Sequence, residues 1–180
     1  MHERQFHSNI ERLRAPERQA RMEVARVVEQ ALAGIQPRNM LDIGTGTGLF
    51  AEAFAAKGLA VSGLDTNPEM VEAAGQFIPS GEFRQGIAEE LPYPDKSFDL
   101  VFMGVVLHET DDRLKALQEA QRVARLRVAV LEWPYIEEQA NPPLTDRIPA
   151  QDIENWAGQA GFTKTEQFRL TNTILYILEV

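Results

Sequence analysis

The run Asp42-Ile-Gly44-Thr45-Gly46-Thr-Gly48 joins an acid to glycines at alternate positions, directly after the apolar stretch that begins at Asn39-Met-Leu. Glycines let a backbone turn sharply and approach a ligand with no Cβ in the way. Asp42, at the end of the stretch, can neutralise or hydrogen-bond a positively charged ligand group. A dinucleotide fingerprint needs Gly-x-Gly-x-x-Gly, but Leu49 stands where its third glycine would fall, and the Gly-Lys-Ser/Thr ending of a phosphate-binding loop is missing. The next apolar stretch, Ala60 to Leu64, ends at Asp65. That is the spacing at which a carboxylate accepts both hydroxyls of a ribose, two acceptor oxygens meeting two donors. The plain alternative is a structural turn followed by a surface aspartate. Loop, strand, acid and capped helix in this order weigh against it.

A second constellation is His108-Glu109, just past the apolar run Phe98 to Phe102. Histidine titrates near neutral pH and suits a general base; the competing reading is a loop histidine that bonds backbone or caps the next helix. No second histidine follows at i+4, His2 and His7 lie near the start, and there is no cysteine, so no metal site is expected. Trp133, Tyr135 and Pro142-Pro143 follow a later apolar run, where an aromatic ring can pack on a substrate or a cationic amine; packing at the end of the sheet is the preferred reading of the tryptophan. In residues 1–35, Arg12, Arg14 and Arg18 would meet an anionic acceptor if this segment folds over the site as a helical lid, and a solvated helix face explains them equally.

These residues need positioning elements. Pro16 opens a predicted helix through Leu32, with Met22, Ala25, Val28, Ala31 and Leu32 at helical spacing. Strands are predicted near 39–43, 60–64, 82–85, 98–102 and 128–131, and helices near 50–57, 67–77, 111–125 and from Pro149 to Gly161. Thr66-Asn67-Pro68-Glu69 is a strong helix start, with a capping side chain, proline and an acid in the first turn. Strands near 164–170 and 173–180 should close the chain as an antiparallel hairpin. The alternation predicts an α/β fold, a doubly wound, mostly parallel sheet with helices on both faces and ligands beyond the strands' carboxyl ends. Residues 36–180 would form this core within a single domain spanning 1–180.

The chain has 180 residues with 18 Lys+Arg against 27 Asp+Glu, a net charge of −9, and no cysteine. Disulfides, thiolate metal sites and a cysteine nucleophile are excluded. The acidic balance argues against a nucleic-acid partner. The longest apolar run, Leu100 to Leu107, is too short to span a bilayer, and the polar start Met1-His2-Glu3-Arg4 is no secretory signal, so a cytoplasmic protein is expected.

The pattern Asp-x-Gly-x-Gly-x-Gly at 42–48, followed by Gly63-Leu-Asp65-Thr-Asn-Pro-Glu-Met70, Gly86-Ile-Ala-Glu-Glu-Leu-Pro-Tyr93 and Ser97-Phe-Asp-Leu-Val-Phe, resembles the class I S-adenosylmethionine-dependent methyltransferases. The likeness runs from about Arg38 to Leu131, nearest the small-molecule branch that includes quinone-biosynthesis enzymes. It implies a Rossmann-like seven-stranded sheet, S-adenosylmethionine as cofactor and methyl transfer to a small-molecule acceptor. It also implies roles for particular residues. The loop of Asp42, Gly44, Thr45, Gly46 and Gly48 would lie under the amino-acid and sugar portion, and Asp65 would bind the ribose. Thr66, Met70 and the segment Gly86, Ile87, Ala88, Glu89 would flank the adenine, and Met103, Gly104 and Val105 would line the methionine side. His108 and Glu109 would be the catalytic candidates. Ile87 stands where relatives carry an aspartate for the adenine amino group; backbone near Ala88 or the Glu89 carboxylate would have to substitute. Two other readings compete: a cofactor-binding domain without catalysis, serving as an interaction or regulatory subunit, and a nicotinamide-dependent reductase, which Leu49 disfavours.

Overall fold

The computed structural model describes residues 10–136 and 142–180. His2, His7 and the start of the expected lid lie outside them. A seven-stranded sheet runs in the order β3-β2-β1-β4-β5-β7-β6, built from β1 (Asn39–Ile43), β2 (Ala60–Asp65), β3 (Glu82–Gln85), β4 (Phe98–Gly104), β5 (Ala124–Glu132), β6 (Lys164–Arg169) and β7 (Ile174–Glu179). The β1–β2, β1–β4, β2–β3 and β4–β5 pairs are parallel, and β7 is antiparallel to both β5 and β6. The expected doubly wound sheet with one reversed strand in a closing hairpin is what forms.

Both faces are covered, so the inner strands are apolar throughout instead of alternating. Met40, Leu100, Phe102, Ala129 and Leu131 pack on one face with Met22 and Phe54, under α3 (Val24–Leu32) and α4 (Leu49–Ala55). Leu41, Ile43, Val101, Met103, Val128 and Val130 pack on the other face, under α6 (Arg113–Val123) and α7 (Ala150–Ala160). Beside α4, on β2 and β3, lies α5 (Pro68–Phe77), started as expected: the Asn67 side chain accepts from the Glu69 N–H at 2.9 Å, and Pro68 fills the first position.

Two elements depart from expectation. The helix predicted from Pro16 to Leu32 is broken in two, into α2 (Pro16–Arg21) and α3, with α1 (Ile10–Arg14) before them. Glu23, at the break, has φ 48°, the left-handed region. Contacts with the β6–β7 turn sit at this point: the Glu23 carboxylate accepts from the Thr171 N–H, and the Arg21 carbonyl from the Asn172 amide. The second departure is at residues 124 and 125, predicted helical but already in β5, where Ala124 pairs with Phe98. Charged residues on this strand find partners across it, Arg125 on Asp99 and Arg127 on Glu179 and the Ala31 and Ala33 carbonyls.

Candidate functional site

The strand order reverses between β1 and β4, and the loops leaving these strands splay apart there, which is where ligands enter such sheets. A cavity of about 70 Å³ occupies that point, lined by Asp42, Gly44, Thr45, Gly46, Leu49, Gly104 and Val105, with Leu13 and Arg18 from α1 and α2 over it. A second, of about 290 Å³, opens between Thr66, Gln85, Gly86 and Ile87, beyond β2 and β3. Asp65 closes β2 between Gly46, which lines the first cavity, and Thr66, which lines the second.

The glycine loop is held from beneath. Gly44 and Thr45 N–H donate to the Leu64 carbonyl at 2.8 and 3.0 Å, and Gly48 N–H to the Thr45 carbonyl at 2.9 Å. Gly46 N–H donates to Asp65 Oδ2 at 2.8 Å, and Asn67 N–H to Asp65 Oδ1 at 2.9 Å. Gly44 has φ 69°, and a Cβ there would stand 2.4 Å from Val106 Cγ2, so only glycine fits. Gly48, also left-handed at φ 81°, faces α5 instead, where a Cβ would meet Ile78 at 2.9 Å. Its place is in packing α4 against α5.

Two acids lie side by side under the loop. Asp42 is buried and accepts from the Thr45 hydroxyl at 2.9 Å. Burial, reinforced by the nearby Asp65 charge, pushes its carboxyl up to about 7 against the Thr45 and Ala51 hydrogen bonds. Burial also raises Asp65, opposed by the backbone N–H groups of Asn67, Gly46 and Thr66. An acid poised this way ionises readily when a cation arrives.

On the other side of the switch point, β4 runs into a 3₁₀ turn, Leu107–Glu109. His108 is buried there, and its Nδ1 lies 2.8 Å from Glu132 Oε2. Glu132 closes β5, is 1% exposed, and also accepts the His108 N–H at 3.1 Å and the Trp133 N–H at 3.3 Å. A carboxylate at Nδ1 puts the proton on that nitrogen and leaves the Nε2 lone pair free in the neutral ring. Glu109 Oε1 stands 3.7 Å from Nε2. Burial draws the His108 pKa down, but the Glu132 hydrogen bond and charge, with Glu109 behind them and Arg113 opposing, outweigh it and hold it above the ordinary 6.5.

The sequence reading passes over Glu132. The signal that finds it is the one that singles out Asp42 and Asp65, an acid closing an apolar strand, here Val128 to Leu131. Other expected residues are placed differently. Met103 and Ala88 point into the core on the α6/α7 face, and Met70 is buried on α5. The Glu89 carboxylate accepts from the Asp111 and Asp112 N–H groups at 2.9 and 3.2 Å, fixing the approach to α6. Arg14 is not offered to an acceptor: its guanidinium donates to the Thr47 carbonyl at 2.9 Å, pairs with Glu52 and lies 3.7 Å from the Phe77 ring centre. It straps α1 onto the glycine loop. Trp133 is buried in the α3/α4 face, with the Arg21 guanidinium 5.2 Å from its ring, while Tyr135 is exposed. Among the described residues no group of three or more His, Asp or Glu side chains forms a metal cage, and no helix is long and apolar enough to cross a membrane.

A methyltransferase domain family matches residues 41–128. The chain is 37% identical over 111 residues to the demethylmenaquinone methyltransferase of Thermotoga maritima, covering 59% of this chain and 48% of that protein. It is 30% identical over 147 residues to ajmaline N-methyltransferase of Rauvolfia serpentina, covering 73% of this chain and 50% of that one. The chain therefore spans about half the length of these curated relatives. Among solved structures, a SAM dependent methyltransferase from Aquifex aeolicus shares the fold with a TM-score of 0.82 at 22% identity, over 95% of this chain and 96% of that one.

Proposed function

Because the chain belongs to the class I S-adenosylmethionine-dependent methyltransferases, we propose that it moves the methyl group of that cofactor to a small-molecule acceptor. The observation that carries this reading is the state of the glycine loop. Its Gly44, Thr45, Gly46 and Gly48 N–H groups are committed to Leu64, Asp65 and Thr45. A dinucleotide reductase needs such groups free to cradle a pyrophosphate. Here the loop offers a ligand bare backbone and carboxylates, which suits a nucleoside bearing cationic groups. The donor set fits: Asp65 for the ribose hydroxyls, Thr66, Gly86 and Ile87 around the base, and Asp42 for a positively charged amine near the loop. Small-molecule pockets usually enclose about 300–1,000 Å³, so α1 and α2 lift from the glycine loop to admit the methionine end.

When bound, the cofactor supplies a methyl on a positively charged sulfur that leaves as a neutral thioether, with no acid required of the protein. What remains is to align the acceptor, worth about 7–11 kcal/mol of barrier in well-oriented reactions, and to remove its proton. His108 does the latter through Nε2, held in the correct tautomer by Glu132. A buried histidine–carboxylate pair beside the switch point favours an enzyme over a domain that only binds.

Calorimetry with S-adenosylhomocysteine and with NAD tests the assignment. Heat with the first and none with the second is expected. Asp65→Ala should weaken S-adenosylhomocysteine by roughly 10- to 150-fold, the range for hydrogen bonds to a charged group at about 1.5–3 kcal/mol. No heat with S-adenosylhomocysteine, or an Asp65→Ala protein that binds as before, overturns it. Transfer of labelled methyl to members of a metabolite panel then separates catalysis from binding alone.

A further inference from the structure

Arg18 lines the cavity at the glycine loop, with Asp42, Thr45 and Gly46 from the β1 side and Gly104 and Val105 from the end of β4, and is part-buried in its wall. Its guanidinium forms no hydrogen bond or ion pair among the described residues, unlike the Arg14 guanidinium at the end of α1. Of the charges that act on it, Arg12 and Arg21 are positive and Glu109 negative. Burial, then the two arginines, make its charged form less favourable than in water, yet a guanidinium does not give up its proton in a protein. The fold therefore keeps a cation in a partly desolvated wall, beside like charges, with its planar fork of donors unspent. A carboxylate is the ligand such a fork matches, through paired N–H···O bonds.

The position selects the ligand further. Val105 leads directly into the turn that carries His108 and Glu109, and Arg21 lies over Trp133, the neighbour of Glu132. Arg18 thus stands where the glycine loop meets the end of β4, the strand that leads to the base, and away from the Thr66–Ile87 cavity. A cofactor that brings a sulfonium and an ammonium against one carboxylate adds net positive charge to this wall. An anionic acceptor is what balances it.

We infer that Arg18, flanked by Arg12 and Arg21, is an anion-recognition site that selects acceptors carrying a carboxylate near the atom to be methylated. This rests on the methyltransferase reading above and names its substrate class. Bound there, the carboxylate would span the cap and the core, so that acceptor binding and closure of α1–α2 over the cavity reinforce each other.

The test uses benzoate and benzamide, equal in shape and different in charge, titrated calorimetrically at low ionic strength into the full chain saturated with S-adenosylhomocysteine. Benzoate should bind about tenfold tighter than benzamide. In Arg18→Gln that ratio should fall to about one with methylthioadenosine affinity unchanged, and Arg18→Lys, which keeps the charge, should retain part of the preference. Equal or absent binding of both probes to the parent protein overturns the inference, as does a ratio that survives in Arg18→Gln. If Arg18→Gln instead weakens S-adenosylhomocysteine but not methylthioadenosine, which lacks the amino-acid end, the guanidinium serves the cofactor's own carboxylate and the acceptor assignment is overturned. Thermal unfolding of each variant shows that it is folded, and Arg12→Gln, expected to reduce the ratio partially, replaces any Arg18 variant that is not. Should the parent protein give no heat with S-adenosylhomocysteine, the methyltransferase reading fails on its own. The two probes titrated without it then decide the anion site by the same ratio.

Discussion

The two halves of the sheet's carboxyl edge are built on opposite plans. On the β1–β2 side the groups that meet a ligand come from one short stretch: Asp42 bonds Thr45 three residues on, and Asp65 bonds Gly46 at a separation of 19. Their acids are satisfied by hydroxyl and backbone donors, and among the described residues no side-chain cation neutralises them. On the β4–β5 side the parts come from distant stretches, with His108 held by Glu132 across 24 residues and Arg18 arriving from the N-terminal cap. There a buried acid holds the histidine, and the guanidinium lines the cavity where β4 meets the glycine loop. The first half reads as a binding surface whose charge waits for a cationic ligand. The second carries the groups proposed to move a proton and to sort acceptors. Rigid backbone does the one job, and side chains positioned by other side chains do the other.

Removing the base should separate the halves most sharply. His108→Ala should lower turnover by roughly 10²- to 10⁴-fold, the usual worth of a positioned general base. It should leave S-adenosylhomocysteine affinity within about twofold, since the His108 side chain bonds to β5 and not to the glycine loop. Glu132→Gln sharpens the same point through pH. His108 acts as a base only when neutral, and the Glu132 charge holds its pKa above 6.5, so turnover should rise as pH rises through that raised value. Without the charge, burial dominates, the pKa falls, and the acid limb of the profile moves to lower pH while the plateau rate drops because the tautomer is no longer held. A profile that does not move in Glu132→Gln, with activity intact in His108→Ala, would make the pair structural.

The same contrast decides what sequence reading captures. Elements whose residues are near neighbours are legible. The apolar strands, the glycine loop, the Asn67-Pro68 start and Asp65 all carry their signal within a few positions. The break at Glu23 is not legible, because contacts to Thr171 and Asn172 that accompany it lie about 150 residues away. The early start of β5 escapes for a similar reason. Arg125 falls at the end of the predicted helix until Asp99 is beside it, and Arg127 finds its partner only in Glu179. Of the base side, His108 is visible as a residue type, but its partner is visible only once β4 and β5 are neighbours. Arg14 and Arg18 are alike in sequence and opposite in role, one spent on the glycine loop and the other facing a cavity.

Asp42 offers a smaller but distinctive effect. Its carboxyl, pushed up to about 7, is largely protonated below that pH in the free protein and ionised when an ammonium group lies against it. Binding of S-adenosylhomocysteine should then release a proton, and affinity should rise about tenfold from pH 6 to pH 8, a tenfold change in affinity being about 1.4 kcal/mol. Asp42→Asn should flatten this dependence. The linkage also acts on stability. With the folded pKa above the unfolded value of 3.8, the unfolded chain binds fewer protons between the two, so the stability tied to this group is complete below about pH 4 and is lost as pH rises towards 7. Thermal unfolding of the Asp42→Asn protein should lose that slope. A pH-independent affinity in the parent protein would place the ammonium group elsewhere.

The smallest expected effect is a gain. Ile87 is 47% exposed on the rim of the second cavity, and its backbone is fixed by a bridge to Glu90, so a change of side chain there alters chemistry more than shape. An isoleucine offers an adenine an apolar edge and no acceptor for its amino group. Glu89 is held on the far side by its Oε1, which accepts from the N–H groups ahead of α6. Ile87→Asp should therefore add one hydrogen bond, net about 0.5–1.5 kcal/mol, and tighten S-adenosylhomocysteine by roughly two- to tenfold by calorimetry. Part of that gain is offset by the apolar contact given up and by a further negative charge on an already acidic half. If affinity is unchanged or falls, the base does not sit between Thr66 and Ile87, and the binding half ends at the ribose.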